Sequence, residues 1–259
     1  MTETEIKDIL DFYSRKINAP EFIADDPVQF PRRFSDQRDS EIAALLASTI
    51  AWGRRPMIIR DADRMFGLMD WQPYRYMMDQ GYEDLPAELN LHRTFFAKNL
   101  QHWLRGLRSI YIRHSTLDDF AAAVGAGSAD YPAVCLAGAM NSLLAQANGG
   151  TGDSRCLPLN LNVTALKRLN MALRWLVRDD GIVDLGLWRS IRPNQLRIPL
   201  DVHVGRVARQ LGLLDRNAAD RRAVEELTRR LRRFDANDPV RYDFALFGLG
   251  VSGTALDQL

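Results

Sequence analysis

The chain has 259 residues, 46% of them hydrophobic and 26% charged, and a formal net charge of +1. That length can bury the core of one large domain or two smaller lobes, and the composition excludes a disordered, collagen-like or disulfide-stapled chain. With only Cys135, Cys156 and four histidines, a four-cysteine zinc or iron–sulfur site is excluded, and no metal or other cofactor is expected.

Met1 to Lys7 is polar and acidic, unlike a secretory leader. No apolar run reaches the roughly eighteen residues of a membrane span. Together with the scarcity of cysteine, this sets the expectation of a cytoplasmic protein without membrane contact. Apolar residues then recur at spacings of three and four over 2–17, 40–52, 92–113, 131–146, 163–177, 202–213, 218–234 and 239–249, which predicts a helix in each. Asp39-Ser40, Asn162 and Asp238-Pro239 supply start signals. Alternating strand patterns and hairpin dipeptides are not found. The irregular stretches are Gly125–Asp130, the glycine-rich Asn148–Ser154, and Asp179–Pro199. The expected protein is therefore all-α, one helical unit over 1–259. Its lobes are expected at about 1–150 and 151–259, with the N-terminal helices packing on the second.

The small net charge hides two asymmetries. Residues 1–159 carry 17 basic and 21 acidic side chains, whereas residues 160–259 carry 17 and 12. Only Lys7, Lys16, Lys98 and Lys167 are lysines, so 30 of the 34 basic residues are arginine. Guanidinium forks suit phosphates and carboxylates, so the C-terminal part fits a polyanionic partner.

Chemistry-bearing residues concentrate between 162 and 214. The helix over 163–177 sets an apolar stripe against Lys167, Met171, Arg174 and Arg178 on the opposite face, a pattern that an ordinary solvated cationic face also gives. Farther on, Asp201 stands where a helix N-cap belongs in Pro199-Leu200-Asp201-Val202-His203-Val204-Gly205-Arg206-Val207. Near the C-terminus, Gly248-Leu249-Gly250-Val251-Ser252-Gly253 spells the dinucleotide glycine motif. It has no strand before it and only six residues after it, so that reading is rejected.

The run PLDVHVGRVARQLGLL resembles the segment of helix-hairpin-helix DNA glycosylases in which a catalytic aspartate begins a helix. Asp201, His203, Val204, Arg206 and Val207 match its pattern, and DSEIAALLASTIAW resembles the apolar helix near the start of that domain. The archaeal 8-oxoguanine DNA glycosylases are the nearest type. In them a catalytic lysine opens a helix a little over thirty residues before the aspartate, and Lys167 precedes Asp201 by 34. Nearly the whole chain, including RWLVRDDGIVDLGLW and YDFALFGLG, is also similar to an uncharacterised bacterial domain family.

The superfamily's phosphate-holding hairpin, leucine-proline-glycine-x-glycine, is missing; Gly181-Ile182-Val183-Asp184-Leu185-Gly186 lies roughly there with another glycine spacing. Ser48 and Thr49 stand near the place of a customary glutamine, and the iron–sulfur cysteines are absent. The resemblance implies a two-lobed helical fold with a cleft between lobes. It also implies an N-glycosylase acting on a damaged base such as an oxidised purine, with DNA as partner and Lys167 and Asp201 as catalytic residues. Arg54, Arg55, Arg174, His203 and Arg206 are the expected nucleic-acid contacts, and Trp52, Trp175 and Trp188 the expected base-stacking residues.

The chemistry is coherent. An amine attacking C1′ must be neutral, which desolvation or neighbouring cations such as Arg168, Arg174 and Arg178 favour. A carboxylate at a helix N-terminus stabilises an oxocarbenium-like sugar, and the target base must leave the duplex. Two other readings fit the same residues: a non-catalytic helical nucleic-acid-binding protein, and a helical protein-interaction protein with solvated arginines.

Overall fold

The eight apolar stripes all fold into helices in the computed structural model, which describes residues 1–252. In chain order the helices are α1 (Glu3–Ile17), α2 (Pro20–Ala24), α3 (Gln37–Thr49), α4 (Arg55–Gly67), α5 (Pro73–Met78), α6 (Ala97–Tyr111), α7 (Leu117–Ala123), α8 (Pro132–Ala147), α9 (Lys167–Val177), α10 (Val202–Gln210), α11 (Arg221–Phe234) and α12 (Asp243–Ser252). Short 3-10 turns and irregular chain connect them. No described helix is long and apolar enough to cross a membrane.

Three differences from the sequence expectation have physical causes. A two-stranded antiparallel hairpin, β1 (Asn90–His92) and β2 (Phe95–Phe96), precedes α6 where a helix start was expected. Its turn contains Arg93 in the left-handed region (φ 49°), so no glycine marks it. Helix α4 escaped the periodicity because Asp61 sits on its inward face among Ile58, Ala62 and Met65 and is buried with them. And α9 begins at Lys167, four residues after Val163. Thr164 instead bridges to Asp220 and the Val163 carbonyl accepts from the Arg221 amide, which ties this segment to the start of α11.

One continuous cluster of buried side chains runs from Ile6 to Leu249. Helix α3 is buried along nearly its whole length and packs on α9, α6 packs on α8, and α12 is held between α1 and α10. The glycines of the rejected dinucleotide motif serve this last packing. A Cβ at Gly248 would come within 2.0 Å of the Ile17 side chain, and one at Gly250 within 2.8 Å of His203 Cβ. Gly253 lies outside the described residues.

Candidate functional site

Helix α3 ends at Thr49, and the chain turns through Trp52 and Gly53 (φ 107°) into α4. His92, fully buried, fixes this turn from below. Its Nδ1 lies 2.7 Å from Asp61 Oδ2, and its Nε2–H donates to the Trp52 carbonyl at 2.9 Å. The rings of His92 and Trp52 meet edge to face at 4.8 Å. Against the opposing effect of burial, hydrogen bonds from His92 and Arg60 hold the Asp61 carboxyl below its usual range. Arg168 closes the other side of Trp52, its guanidinium 5.6 Å from the indole centroid and donating to the Thr49 carbonyl at 2.8 Å.

Two helix starts face the turn. Leu166 adopts φ 49°, left-handed for a side chain that seldom tolerates it, and so makes Lys167 the first residue of α9. Asp201 caps α10, its Oδ1 accepting from the amides of His203 and Val204, both at 2.9 Å. No described residue bonds the second carboxylate oxygen. Lys167, Asp201 and Trp52 line a single cavity of about 1140 Å³. Its walls carry six cationic side chains, Arg54, Arg55, Arg155, Lys167, Arg168 and Arg174, against three carboxylates, Asp26, Asp201 and Asp243. The charge that is nearly cancelled over the whole chain is thus strongly positive here.

The expected site residues divide in two. Lys167, Asp201, Trp52, Arg54, Arg55 and His203 come together at the cavity. Arg55 is spent partly on aromatic rings, 4.6 Å from the Phe247 centroid, while Arg54 is exposed. Arg206 and Trp188 are not in the cavity wall. Arg206 donates to the Gly250 carbonyl, joining α10 to α12, and Trp188 is buried with its Nε1 donating to Glu41 at 2.8 Å. Trp175 lines the cavity but is fully buried, and its indole nitrogen has no partner among the described residues.

Arg174 and Arg178 are not a solvated face. Both are buried, Arg174 between Asp184 (3.3 Å) and Asp243 (2.5 Å), and Arg178 among Asp180, Asp184 and Asp238. Arg174 is therefore already neutralised and is not a free phosphate contact. The loop after α9 is likewise occupied. Asp180 Oδ1 accepts from the amides of Ile182, Val183 and Asp184 at 2.9, 3.0 and 3.2 Å. The chain's own carboxylate thus takes these three amides.

Four features at the site have no signal in the sequence. Asp26, Asp243, Arg155 and the Asp61–His92 pair reach or support the cavity from segments distant in the chain, and no local pattern assigns any of them to the site. Burial pushes Asp243 from 3.8 up to about 6, against Arg174, whose single charge is shared with Asp184. A carboxyl raised in the folded state contributes stability below its unfolded value that is lost as pH rises through the folded one. Asp243→Asn is thus expected to gain thermal midpoint relative to the unaltered chain between about pH 4 and pH 6. A gap that stays constant across paired melting curves would disprove it. Among the described residues no group of three His, Cys, Asp or Glu side chains is arranged to hold a metal ion.

Fold and site together define a helical protein with a large cationic cavity built around one lysine and one capping aspartate. The chain belongs to the family described as "Protein of unknown function (DUF2400)", whose model matches residues 26–252. No curated protein and no solved structure matches it.

Proposed function

We propose that this protein is a DNA-repair-type N-glycosylase with lyase activity, its two lobes at about 1–150 and 151–259 closing on damaged DNA. Lys167 would attack C1′ of the lesion nucleotide and form a Schiff base. Asp201, one of whose carboxylate oxygens is bonded by no described residue, would stabilise the oxocarbenium-like sugar. The observation that carries this reading is the meeting of Lys167 and Asp201, each opening its own helix, in one cavity with an excess of cations. An extruded purine is much smaller than that cavity, and Trp52, half-buried at its edge, offers an indole face for stacking.

Borohydride reduction tests it directly. With duplex DNA carrying an abasic site or 8-oxoguanine, the protein is expected to form a trapped covalent adduct. Lys167→Ala abolishes the adduct, and Asp201→Asn slows its formation by about 10²-fold or more. No adduct from the unaltered protein over a panel of lesions refutes the enzymatic reading. The exposed guanidinium of Arg54 and the cationic cavity walls also suit a non-catalytic nucleic-acid-binding protein. That reading requires affinity that falls steeply with salt and is unchanged in Lys167→Ala beyond the loss of one phosphate contact.

A further inference from the structure

Among the described residues, buried carboxyl groups are, with one exception, closely matched by partners. Asp184 and Asp243 meet Arg174 and Arg178, Asp61 meets Arg60 and His92, and Glu41 receives five hydrogen bonds. Asp26 is the exception. It is 8% exposed, its Oδ1 accepts from the Val28 amide at 3.0 Å, and no described residue gives it an ion pair or a second side-chain hydrogen bond. It lines the cavity that holds Lys167 and Asp201.

Burial raises its carboxyl, outweighing the Val28 amide and the charges of Arg174, Arg55 and Lys167. The charged groups facing it are those of α9 (Lys167, Arg174) and α4 (Arg55), with Asp243 of α12 competing for Arg174. Capping the short turn at Pro27–Gln29 needs only a side-chain oxygen, which asparagine would supply without the desolvation of an acid. An acid kept here, enclosed and with no described residue in ion-pair contact, is suited to holding a proton that a bound molecule can take.

We infer that Asp26 is the proton donor to the departing purine in the reaction proposed above, on which this assignment rests. The neutral Lys167 amine forms a bond to C1′ as the C1′–N9 bond breaks and its electron pair moves onto the base. The Asp26 proton passes to the base, which leaves neutral, and the carboxylate recovers its proton from solvent. The new secondary ammonium loses a proton to solvent, and O4′ takes one up as the ring opens to the Schiff base. A general acid of this kind contributes about 10²- to 10⁴-fold to bond cleavage. It is not needed on an abasic sugar, which has no base to expel.

Asp26→Asn tests this, because it preserves the turn cap and the volume and removes the acid. The probes are duplexes carrying 8-oxoguanine or other oxidised or alkylated purines, beside the same duplex with a preformed abasic site. Asp26→Asn is expected to lose excision by about 10²-fold or more and to trap the abasic duplex at the unaltered rate. Excision by the unaltered protein falls as pH rises through the Asp26 titration, and residual excision by the variant does not follow that titration. Excision undiminished in Asp26→Asn overturns the role of Asp26 and leaves the glycosylase reading standing. Equal loss of excision and trapping assigns Asp26 to structure and overturns its role as acid. An unaltered protein that traps abasic DNA and excises no purine also overturns that role. One that does neither overturns the glycosylase reading itself.

Discussion

Alanine at position 184 is expected to cost about 3–5 kcal/mol of folding stability, the usual cost of leaving a buried charge without its partner. Asp184 is 2% exposed and contacts two guanidinium groups that are themselves 3% and 4% exposed. Without it, Arg178 keeps Asp180 and Asp238 at the margin of the network, whereas Arg174 keeps only Asp243. For a chain of this size the loss corresponds to a fall of roughly 6–20 °C in thermal midpoint. Asp184→Asn, which preserves volume, is expected to lose almost as much, because what is missing is charge. A midpoint within about 2 °C of the unaltered chain in both variants would show that the network is dispensable. Arg174 reaches the cavity from this network, so the same substitution is expected to loosen the wall beside Lys167.

The network also explains what the sequence conceals. On α9 the positions opposite the apolar stripe carry Arg174 and Arg178, a pattern that local spacing assigns to solvent. Their partners lie 2 to 69 positions away, in the loop after the helix, in the turn before α12 and at the start of α12. No local period reports such a pairing, because charge compensation is settled by tertiary placement. The long stripes, in contrast, are read correctly because the spacing that makes a helix amphipathic is itself local.

Lys167 and Asp201 lie between these extremes. Asp201 is legible as a cap from its own neighbourhood. That Lys167 opens α9, rather than lying a turn inside a longer helix, depends on the Thr164–Asp220 bridge and on the left-handed Leu166, neither of which has a sequence signature. Trp52, Trp175 and Trp188 are alike as letters, but their burial separates them. Trp52 is half-exposed at the cavity, Trp175 is sealed in its wall, and Trp188 is hydrogen-bonded in the core.

Trp188 leads to the second large effect, at Glu41. This glutamate is fully buried, and its carboxylate is the meeting point of four segments. Oε2 accepts from the Tyr111 hydroxyl and the Leu117 amide, both at 2.8 Å; Oε1 accepts from Trp188 Nε1 at 2.8 Å, Gln37 Nε2 at 3.0 Å and the Asp118 amide at 3.3 Å. It thereby joins α3 to the end of α6, to the orphan amides that begin α7, and to the irregular stretch after α9. Glu41→Ala leaves the Trp188 and Leu117 donors buried without a partner, at about 1–3 kcal/mol each, and leaves the Tyr111 hydroxyl only the Arg38 carbonyl at 3.4 Å. Their sum approaches the about 5–15 kcal/mol of a whole domain, so the variant is expected to be largely unfolded near 37 °C. Glu41→Gln is the more discriminating substitution. It keeps the shape and one acceptor but turns an NH₂ group toward donors, so its loss is expected to fall between those of alanine and the unaltered chain. Urea titrations followed by tryptophan fluorescence read both variants. A Glu41→Ala midpoint equal to that of the unaltered chain would mean that water replaces the carboxylate, and that α7 and Trp188 hold their places without it.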